Sequence, residues 1–295
     1  MYDIEKIYQA KDIPDAISAL NADPTAIVIS GGSDVLIKIR EGKLAGCSLV
    51  SIHNISELKG VSMTDDGTII IRPATSFSHV TYSPIIEKHI PMLGAAVDQV
   101  GGPQIRNIGT IGGNVCNGVT SADSASTLFT LNAILELTSA SGVREVKIAD
   151  FYKGPGKVDR AHGELLTAIK ITKDNYEGFG GHYIKYAQRN AMDIATLGCA
   201  VNVKLNDAKD TITDMRLAFG VAAPTPVRCH ETEKLAIGAK ISPELFAKIG
   251  ETAVSEVNPR TSWRASKEFR LQLVKELSQR ALKQAIVYAG GEIDA

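Results

Sequence analysis

The residues of this chain best suited to chemistry are backbone amides rather than side chains. Ser30-Gly31-Gly32-Ser33-Asp34 directly follows the apolar run at 25–30, TAIVIS. Paired glycines let the backbone turn tightly, expose successive N–H groups and admit an anion where a Cβ would clash. A diphosphate is the usual ligand of such a turn, although a glycine pair after a strand, taken alone, marks a turn and nothing more. A second bend, Gly109-Thr110-Ile111-Gly112-Gly113-Asn114, has Asn117 and Asp123 beyond it. It offers glycine N–H groups, a threonine hydroxyl and an asparagine amide as donors. Asp123 adds an acceptor for a sugar or ribityl hydroxyl. Two such bends in one domain point to a joint phosphate site more strongly than either does alone.

The familiar nucleotide motifs are missing. No GxGxxG opens a helix at the start of a βαβ unit, and no GxxxxGK is followed by Ser or Thr, so a Rossmann site and a P-loop are both disfavoured. No GxSxG, HExxH or cysteine–histidine pairing is present. The six histidines are scattered, which suits surface or internally bonded residues. Cys47, Cys116, Cys199 and Cys229 are far apart and form no CxxC pair. Zinc and iron–sulphur sites need closely spaced thiolates, so no metal is expected on this chain. Cys116 stands out only because it lies beside the second bend. The chemistry is therefore expected to belong to a bound organic cofactor, with the protein supplying position and electrostatics.

The elements that must position these bends follow from length and pattern. A chain of 295 residues is long enough for two domains of about 150 residues each. With 44% hydrophobic and 22% charged residues it can bury a sizeable core. A net charge of −1 gives no nucleic-acid footprint. No apolar stretch approaches the roughly 20 residues of a membrane span, and MYDIEKIYQAKDI lacks the apolar core of a secretory leader. A cytoplasmic protein is expected.

Residues 13–20 have helical spacing, and short strands are expected at 25–30, 49–52 and 68–71, with Asp65-Asp66-Gly67 as a turn. Residues 90–100 read as a helix. Residues 101–125 hold six glycines among Asn, Ser and Thr and read as one long irregular loop, ordered by Ile105, Ile108, Ile111 and Val115. Beyond it a short helix at 127–131, a hairpin of 133–137 with 143–148, and a strand at 165–171 are expected. The polar segment 174–181 reads as a boundary. Strands at 196–205 and 212–221 then precede helical periodicity, which ends in an amphipathic helix from Ala265 to about Tyr288, stopped by Gly290-Gly291. The coarse class is α+β in two parts.

With these segments in hand, the chain resembles the FAD-binding subunits of molybdenum hydroxylases, the family of xanthine, nicotinate, carbon monoxide and aldehyde dehydrogenases. The resemblance is carried by GGSDVL from Gly31, by QIRNIGTIGGNVCNG at 104–118 and by Asp123. GPGKV at 154–158, AMDIATLGCA at 191–200, AFGVAAPTPVRC at 218–229 and SWRASKEFRLQL at 262–273 extend it over nearly the whole chain. The wording at TSADSA and FGVAAPTPVRC is nearest to the separate FAD subunits of bacterial xanthine dehydrogenases.

The resemblance implies a fold: a two-subdomain FAD-binding domain of the vanillyl-alcohol oxidase (PCMH) type over 1–175. A smaller α+β domain, related to the carbon monoxide dehydrogenase flavoprotein and built on a three-stranded sheet with helices, would follow over 182–292. It also implies a role. A molybdopterin-binding large subunit hydroxylates the substrate, electrons cross [2Fe-2S] clusters on a small iron–sulphur subunit, and FAD on this chain passes them to NAD. By position, Ile29, Ser30, Gly31, Gly32, Ser33, Asp34 and Val35 are implied to wrap the FAD diphosphate. Thr110, Ile111, Gly112, Gly113 and Asn114 would approach it from the other side. Gly101 matches a position beside the flavin ring, Asp123 a further FAD contact, and Leu166 an apolar wall of the pocket. Lys185 matches a basic position near the flavin, where a cation would stabilise negative charge on the reduced ring. The redox centre would be the flavin, with no catalytic side chain. Trp263 and Arg264 read as packing or docking residues. The loop 154–158 reads equally as a flavin-side loop or a subunit contact. A stand-alone flavin oxidase of the same fold would need an acid–base pair over the flavin, and none is evident. A scaffold that has lost FAD would not need two intact glycine bends.

Overall fold

The computed structural model describes residues 2–293. Its first unit is a small parallel sheet of β1 (Ile4–Gln9), β2 (Ile27–Ile29) and β3 (Cys47–Ser51), in the order β1-β3-β2. Parallel neighbours need crossovers, and α1 (Ile13–Ala22) and α2 (Val35–Arg40) supply them. The Asp12 carboxylate caps α1 by accepting from the Asp15 N–H, and Pro14 sits in its first turn. Side chains alternate across a strand, so β3 serves both helices. Val50 packs in the cluster with Ala16, Ile17 and Leu20 of α1, whereas Cys47 and Leu49 pack with Ile39 of α2.

The second unit contains β4 (Val61–Met63), β5 (Ile69–Ile71), β6 (Ile134–Ser139) and β7 (Gly142–Lys147). A hairpin of β8 (Tyr152–Gly154) and β9 (Lys157–Val158) leads to β10 (Leu165–Ile171). Its five-stranded sheet has the order β4-β5-β10-β6-β7 and is antiparallel throughout. Gly67, at a φ of +85°, makes the expected turn between β4 and β5. Between β5 and β6 run α3 (Phe77–Thr81), α4 (Pro84–His89), α5 (Pro91–Val97), α6 (Pro103–Ile108), α7 (Ile111–Cys116) and α8 (Asp123–Thr130). The short α9 (Ile148–Phe151) follows β7.

One expectation fails here. Residues 101–125 are not a long irregular loop but are largely α6, α7 and the start of α8. Glycine and asparagine are poor helix formers, which hid these helices in the sequence. Pro103 starts α6, the Thr110 hydroxyl caps α7, and buried Ile111 and Val115 hold α7 on the core. Tertiary packing supplies what propensity lacks.

The third unit has three long antiparallel strands, β11 (Phe179–Tyr186), β12 (Leu197–Leu205) and β13 (Ile212–Gly220), matching the three-stranded sheet that the resemblance implies. A two-residue strand, β14 (Val227–Arg228), extends its edge to four. β11 begins inside the polar segment 174–181. Three helices follow: α10 (His230–Ala236), α11 (Pro243–Ser255) and α12 (Lys267–Tyr288). Gly290, at a φ of +88°, lies just past the end of α12. Both faces of this sheet are buried. Cys199, Val201, Leu217 and Phe219 pack in one cluster with residues of α11 and α12, whereas Tyr183, Ala200 and Ala218 join the main core of the second unit. That is why β12 reads as one apolar run rather than as an alternating strand. It is also what fixes the third unit against α5 and α8.

Arg270 of α12 is buried, yet among the described residues no carboxylate is bonded to it. It donates to the Thr196 carbonyl at 3.1 Å, the Ser262 hydroxyl at 2.9 Å, the Ala265 carbonyl at 3.4 Å and the Arg260 carbonyl. It thereby staples the segment before α12 to the start of β12. Replacing it by leucine keeps most of the volume and leaves these acceptors unpaired. Arg270→Leu is expected to lose about 3 kcal/mol of unfolding free energy, since each stranded buried polar group costs roughly 1–3 kcal/mol. Urea denaturation measures this, and a loss under about 1 kcal/mol contradicts the stapling role.

Candidate functional site

The first bend leaves the sheet at the end of β2, where the Ile29 carbonyl accepts from the Ile52 N–H at 2.9 Å. The chain then runs through Ser30–Asp34 into α2, with Gly32 at a φ of +75°, a conformation open to glycine and strained for other residues. Among the described residues, none of the N–H groups of Ser30, Gly31, Gly32, Ser33 and Asp34 donates to a protein acceptor. The Ser30 hydroxyl is buried without a partner. Ser30 to Ser33 are half-buried, and polar groups in such places are nearly always paired with protein, water or ligand. Val35 opens α2, and the Asp34 side chain does not cap it.

The second bend is built differently from expectation. The Ile111 N–H donates to the Thr75 carbonyl at 3.1 Å, and the Gly112 N–H to the Pro73 carbonyl at 2.9 Å. The Gly113 N–H donates to the Thr110 Oγ1 at 3.2 Å. These three amides, expected as phosphate donors, are already taken. Two side-chain donors remain. Thr110 Oγ1 accepts from Gly113, so its own hydroxyl hydrogen is available. Asn114 Oδ1 accepts from the Ser124 hydroxyl at 2.6 Å, which leaves its Nδ2 group unclaimed by this contact. The glycines have separate reasons. A Cβ on Gly112 would lie 2.3 Å from the Cβ of Pro73, so close packing demands glycine. A Cβ on Gly113 would meet only the Thr110 Oγ1, at 2.9 Å, so glycine keeps that hydroxyl uncovered.

The two bends meet backbone to backbone. A Cβ on Gly31 would fall 1.9 Å from the Ile108 carbonyl oxygen and 3.0 Å from the Gly109 Cα. Gly31 therefore serves the approach of one bend to the other, and not only the approach of an anion. The free amides of Ser30–Asp34 and the free donors of Thr110 and Asn114 thus belong to neighbouring segments. This arrangement fits a dinucleotide diphosphate: backbone donors on one side, neutral side-chain donors on the other, and a buried hydroxyl awaiting a partner.

The remaining candidates form a network reaching away from the bends. Ser124, bonded to Asn114, follows Asp123, the first residue of α8. Asp123 accepts from the Tyr183 hydroxyl at 2.7 Å and from Lys185 Nζ at 2.9 Å. Lys185 also donates to the Gln99 carbonyl at 2.8 Å, two residues before Gly101. Gly101 turns the chain at a φ of +52°. Asp123, Lys185 and the turn at 99–101 are thus brought together. The Lys185 and Asp123 side chains are each only 7% exposed. Burial pushes the Asp123 carboxyl upward, while the ammonium and the Tyr183 hydroxyl pull it back. Lys185 is therefore half of a neutral pair rather than a lone cation. Tyr183 and Ser124 were not singled out from sequence. Tyr183 carried a faint signal, since it shares a strand face with Lys185 two positions on. Leu166 makes no hydrogen bond in this network; it is the second residue of β10 and packs within the main core.

The structure places Cys116 and the loop 154–158 at the C-terminal end of α7. Burial pushes the Cys116 thiol up to about 11, opposed by the charge of Arg160, so it is a thiol and not a nucleophile at neutral pH. The loop 154–158 supports the C-terminal end of α7. The Gly156 N–H donates to the Gly118 carbonyl at 2.9 Å. Gly118 sits at a φ of +68°, where a Cβ would be 3.0 Å from Val158.

Comparison with known proteins places this geometry. Residues 2–173 match the family described as FAD binding domain in molybdopterin dehydrogenase, and residues 182–285 the carbon monoxide dehydrogenase flavoprotein C-terminal domain. The chain is 42% identical to a xanthine dehydrogenase FAD-binding subunit of Escherichia coli O157:H7, over 99% of this chain and 100% of that one. It is 32% identical to a glyceraldehyde dehydrogenase medium chain of Sulfolobus acidocaldarius, over 96% and 99% of the two chains. A solved chain of carbon monoxide dehydrogenase from Hydrogenophaga pseudoflava superposes with a TM-score of 0.92, covering 98% of this chain and 99% of that one at 24% identity, a likeness of fold.

Gly31→Ala tests the meeting of the bends. The added methyl cannot coexist with the Ile108 carbonyl, so the bends must separate, and FAD affinity is expected to fall at least about 100-fold, equivalent to about 2.8 kcal/mol. Gly113→Ala, which meets only a hydroxyl, is expected to fall less. Equilibrium titration with FAD measures both, and equal effects contradict the assignment. Thiol labelling gives a second test. Cys47, Cys199 and Cys229 are buried and their thiols are likewise pushed up. Iodoacetamide reacts with thiolate, so the native chain at pH 8 is expected to label slowly at every cysteine. Rapid labelling of Cys116 at pH 8 contradicts its high pKa.

Proposed function

The chain belongs to the FAD-binding flavoprotein family of the molybdopterin dehydrogenases, and from that premise we propose how it works within a xanthine dehydrogenase-like molybdenum hydroxylase. In this reading it takes electrons from [2Fe-2S] clusters on a small iron–sulphur subunit and passes them through FAD to NAD. A large molybdopterin-binding subunit hydroxylates the purine. The observation that carries the cofactor assignment is the meeting of two bends, one with backbone amides that lack protein acceptors and the other with two unclaimed side-chain donors, Thr110 and Asn114. Support for the assembly comes from relatives named as FAD-binding subunits and medium chains, which are parts of larger enzymes.

Each group has a definite task. The amides of Ser30–Asp34 hold and orient the diphosphate from the side of α2, and the Ser30 hydroxyl adds a buried donor. Thr110 and Asn114 donate from the side of α7. Gly112 lets α7 lie flush on Pro73, which fixes the position of its capping residue Thr110. Asp123 and Lys185 act as a matched pair that fixes α8 and β11 against the turn at 99–101. A matched pair leaves little net charge in the site when the cofactor is oxidised. FAD, when bound, would supply the redox chemistry linking one-electron clusters to a two-electron acceptor. The side chains of this chain contribute binding, orientation and exclusion of water.

The test separates the flavoprotein from the whole enzyme. The purified full chain is expected to bind FAD non-covalently, to show the yellow flavin spectrum and to oxidise NADH with an artificial dye. Alone it is expected not to hydroxylate xanthine. Steady-state assays with and without added partner subunits check both. Purine hydroxylation by the chain alone contradicts the division of labour, and failure to oxidise NADH when loaded with FAD contradicts NAD as acceptor.

A further inference from the structure

One long-range side-chain bond joins the helices that follow the two bends. Lys38 Nζ donates to Asn117 Oδ1 at 2.7 Å, joining residues 79 apart in sequence. Lys38 lies in the last turn of α2, and Asn117 is the residue that ends α7. α2 belongs to the small parallel unit, packing through Ile39 on Cys47 and Leu49. α7 belongs to the larger unit, packing through Ile111 and Val115 on the main core. The bond therefore crosses between units. The contact of Gly31 with Ile108 and Gly109 crosses between the same units just ahead of both helices. Two short helices are thus tied together at both ends.

The two partners differ in rigidity. Asn117 is held firmly: its N–H donates to the Gly113 carbonyl at 2.9 Å, and the Gly118 that follows is backed by the loop 154–158. α2 is held weakly. It has six residues, one fully buried side chain and no side-chain cap, and so short a helix is marginal without tertiary contacts. Fixing the long Lys38 side chain costs rotamer entropy that a freely solvated lysine keeps. The front end of α2 is the bend Ser30–Asp34, whose amides lack protein acceptors. Whatever fixes the back of α2 fixes those donors relative to Thr110 and Asn114.

We propose that Lys38 and Asn117 form a clasp that sets the separation of the two bends, making Lys38 a positioning residue for FAD. The inference rests on the FAD-binding reading. Its test uses the full chain, stripped of flavin and titrated with FAD, with thermal unfolding of each apo-protein alongside. Lys38→Met keeps the aliphatic stem and removes the donor; Asn117→Ala removes the acceptor. Each is expected to weaken FAD binding about tenfold, the size of one charge-assisted hydrogen bond. The double variant is expected to bind no more weakly than either single one, and Lys38→Arg to restore affinity. The apo-proteins are expected to melt together. If Lys38→Met binds FAD as tightly as the parent, the clasp is refuted while FAD binding stands. A lowered apo melting temperature that Lys38→Arg does not restore also refutes it, by showing a merely structural bond. A parent chain that binds no FAD at all refutes both readings.

Discussion

The structure depends on one close approach. The backbone at Gly31 lies against the Ile108 carbonyl and the Gly109 Cα, with no room for a single methyl group between them. Bends of different units, from chain segments about eighty residues apart, become one surface at this contact. Without it, the unpaired amides of Ser30–Asp34 would be a local oddity of α2. With it, they neighbour the segment that leads into α7 and carries Thr110 and Asn114, a helix anchored on a different core.

The larger architecture keeps that contact in place. The third sheet is buried on both faces, so it cannot slide on the second unit without exposing one of them. Its first strand carries Tyr183 and Lys185 to Asp123 at the start of α8, and Ser124 passes the constraint to Asn114 on α7. A charge pair at this depth is weak evidence for stability, because desolvation offsets most of the attraction. Its use here is geometric: a carboxylate with two donors and an ammonium with two acceptors allow few alternative arrangements.

The second bend shows why a motif does not by itself reveal its chemistry. Gly112 and Gly113 read as amide donors for an anion, yet both amides bond to protein. One glycine serves packing on Pro73, and the other leaves a threonine hydroxyl uncovered. The pattern Thr-Ile-Gly-Gly-Asn thus leaves donors unclaimed at its side-chain ends, while Gly-Gly-Ser-Asp leaves them on its backbone. Both are glycine-rich for steric reasons, and only the positions of Pro73, Thr75 and Ile108 tell the two cases apart.

Much was legible beforehand because it depends on local rules. Helical spacing at 13–20 and 265–288, the hairpin around Ser141, the turn at Gly67 and the strands expected at 165–171 and 196–205 all express short-range periodicity and turn chemistry. The two glycine bends were visible as well, since few other residue types tolerate such turns. What the sequence could not carry was pairing at a distance. The helices α6 and α7 are made of residues that disfavour helix, and they exist because Pro73, Thr75 and the main core hold them. The match of Lys185 to Asp123, the bond of Lys38 to Asn117 and the loss of three expected donors to protein acceptors depend on which segments meet. Composition and spacing determine what each segment can form; only the closed tertiary structure, by bringing distant donors and acceptors within 3 Å of each other, decides which of those groups remain free to bind.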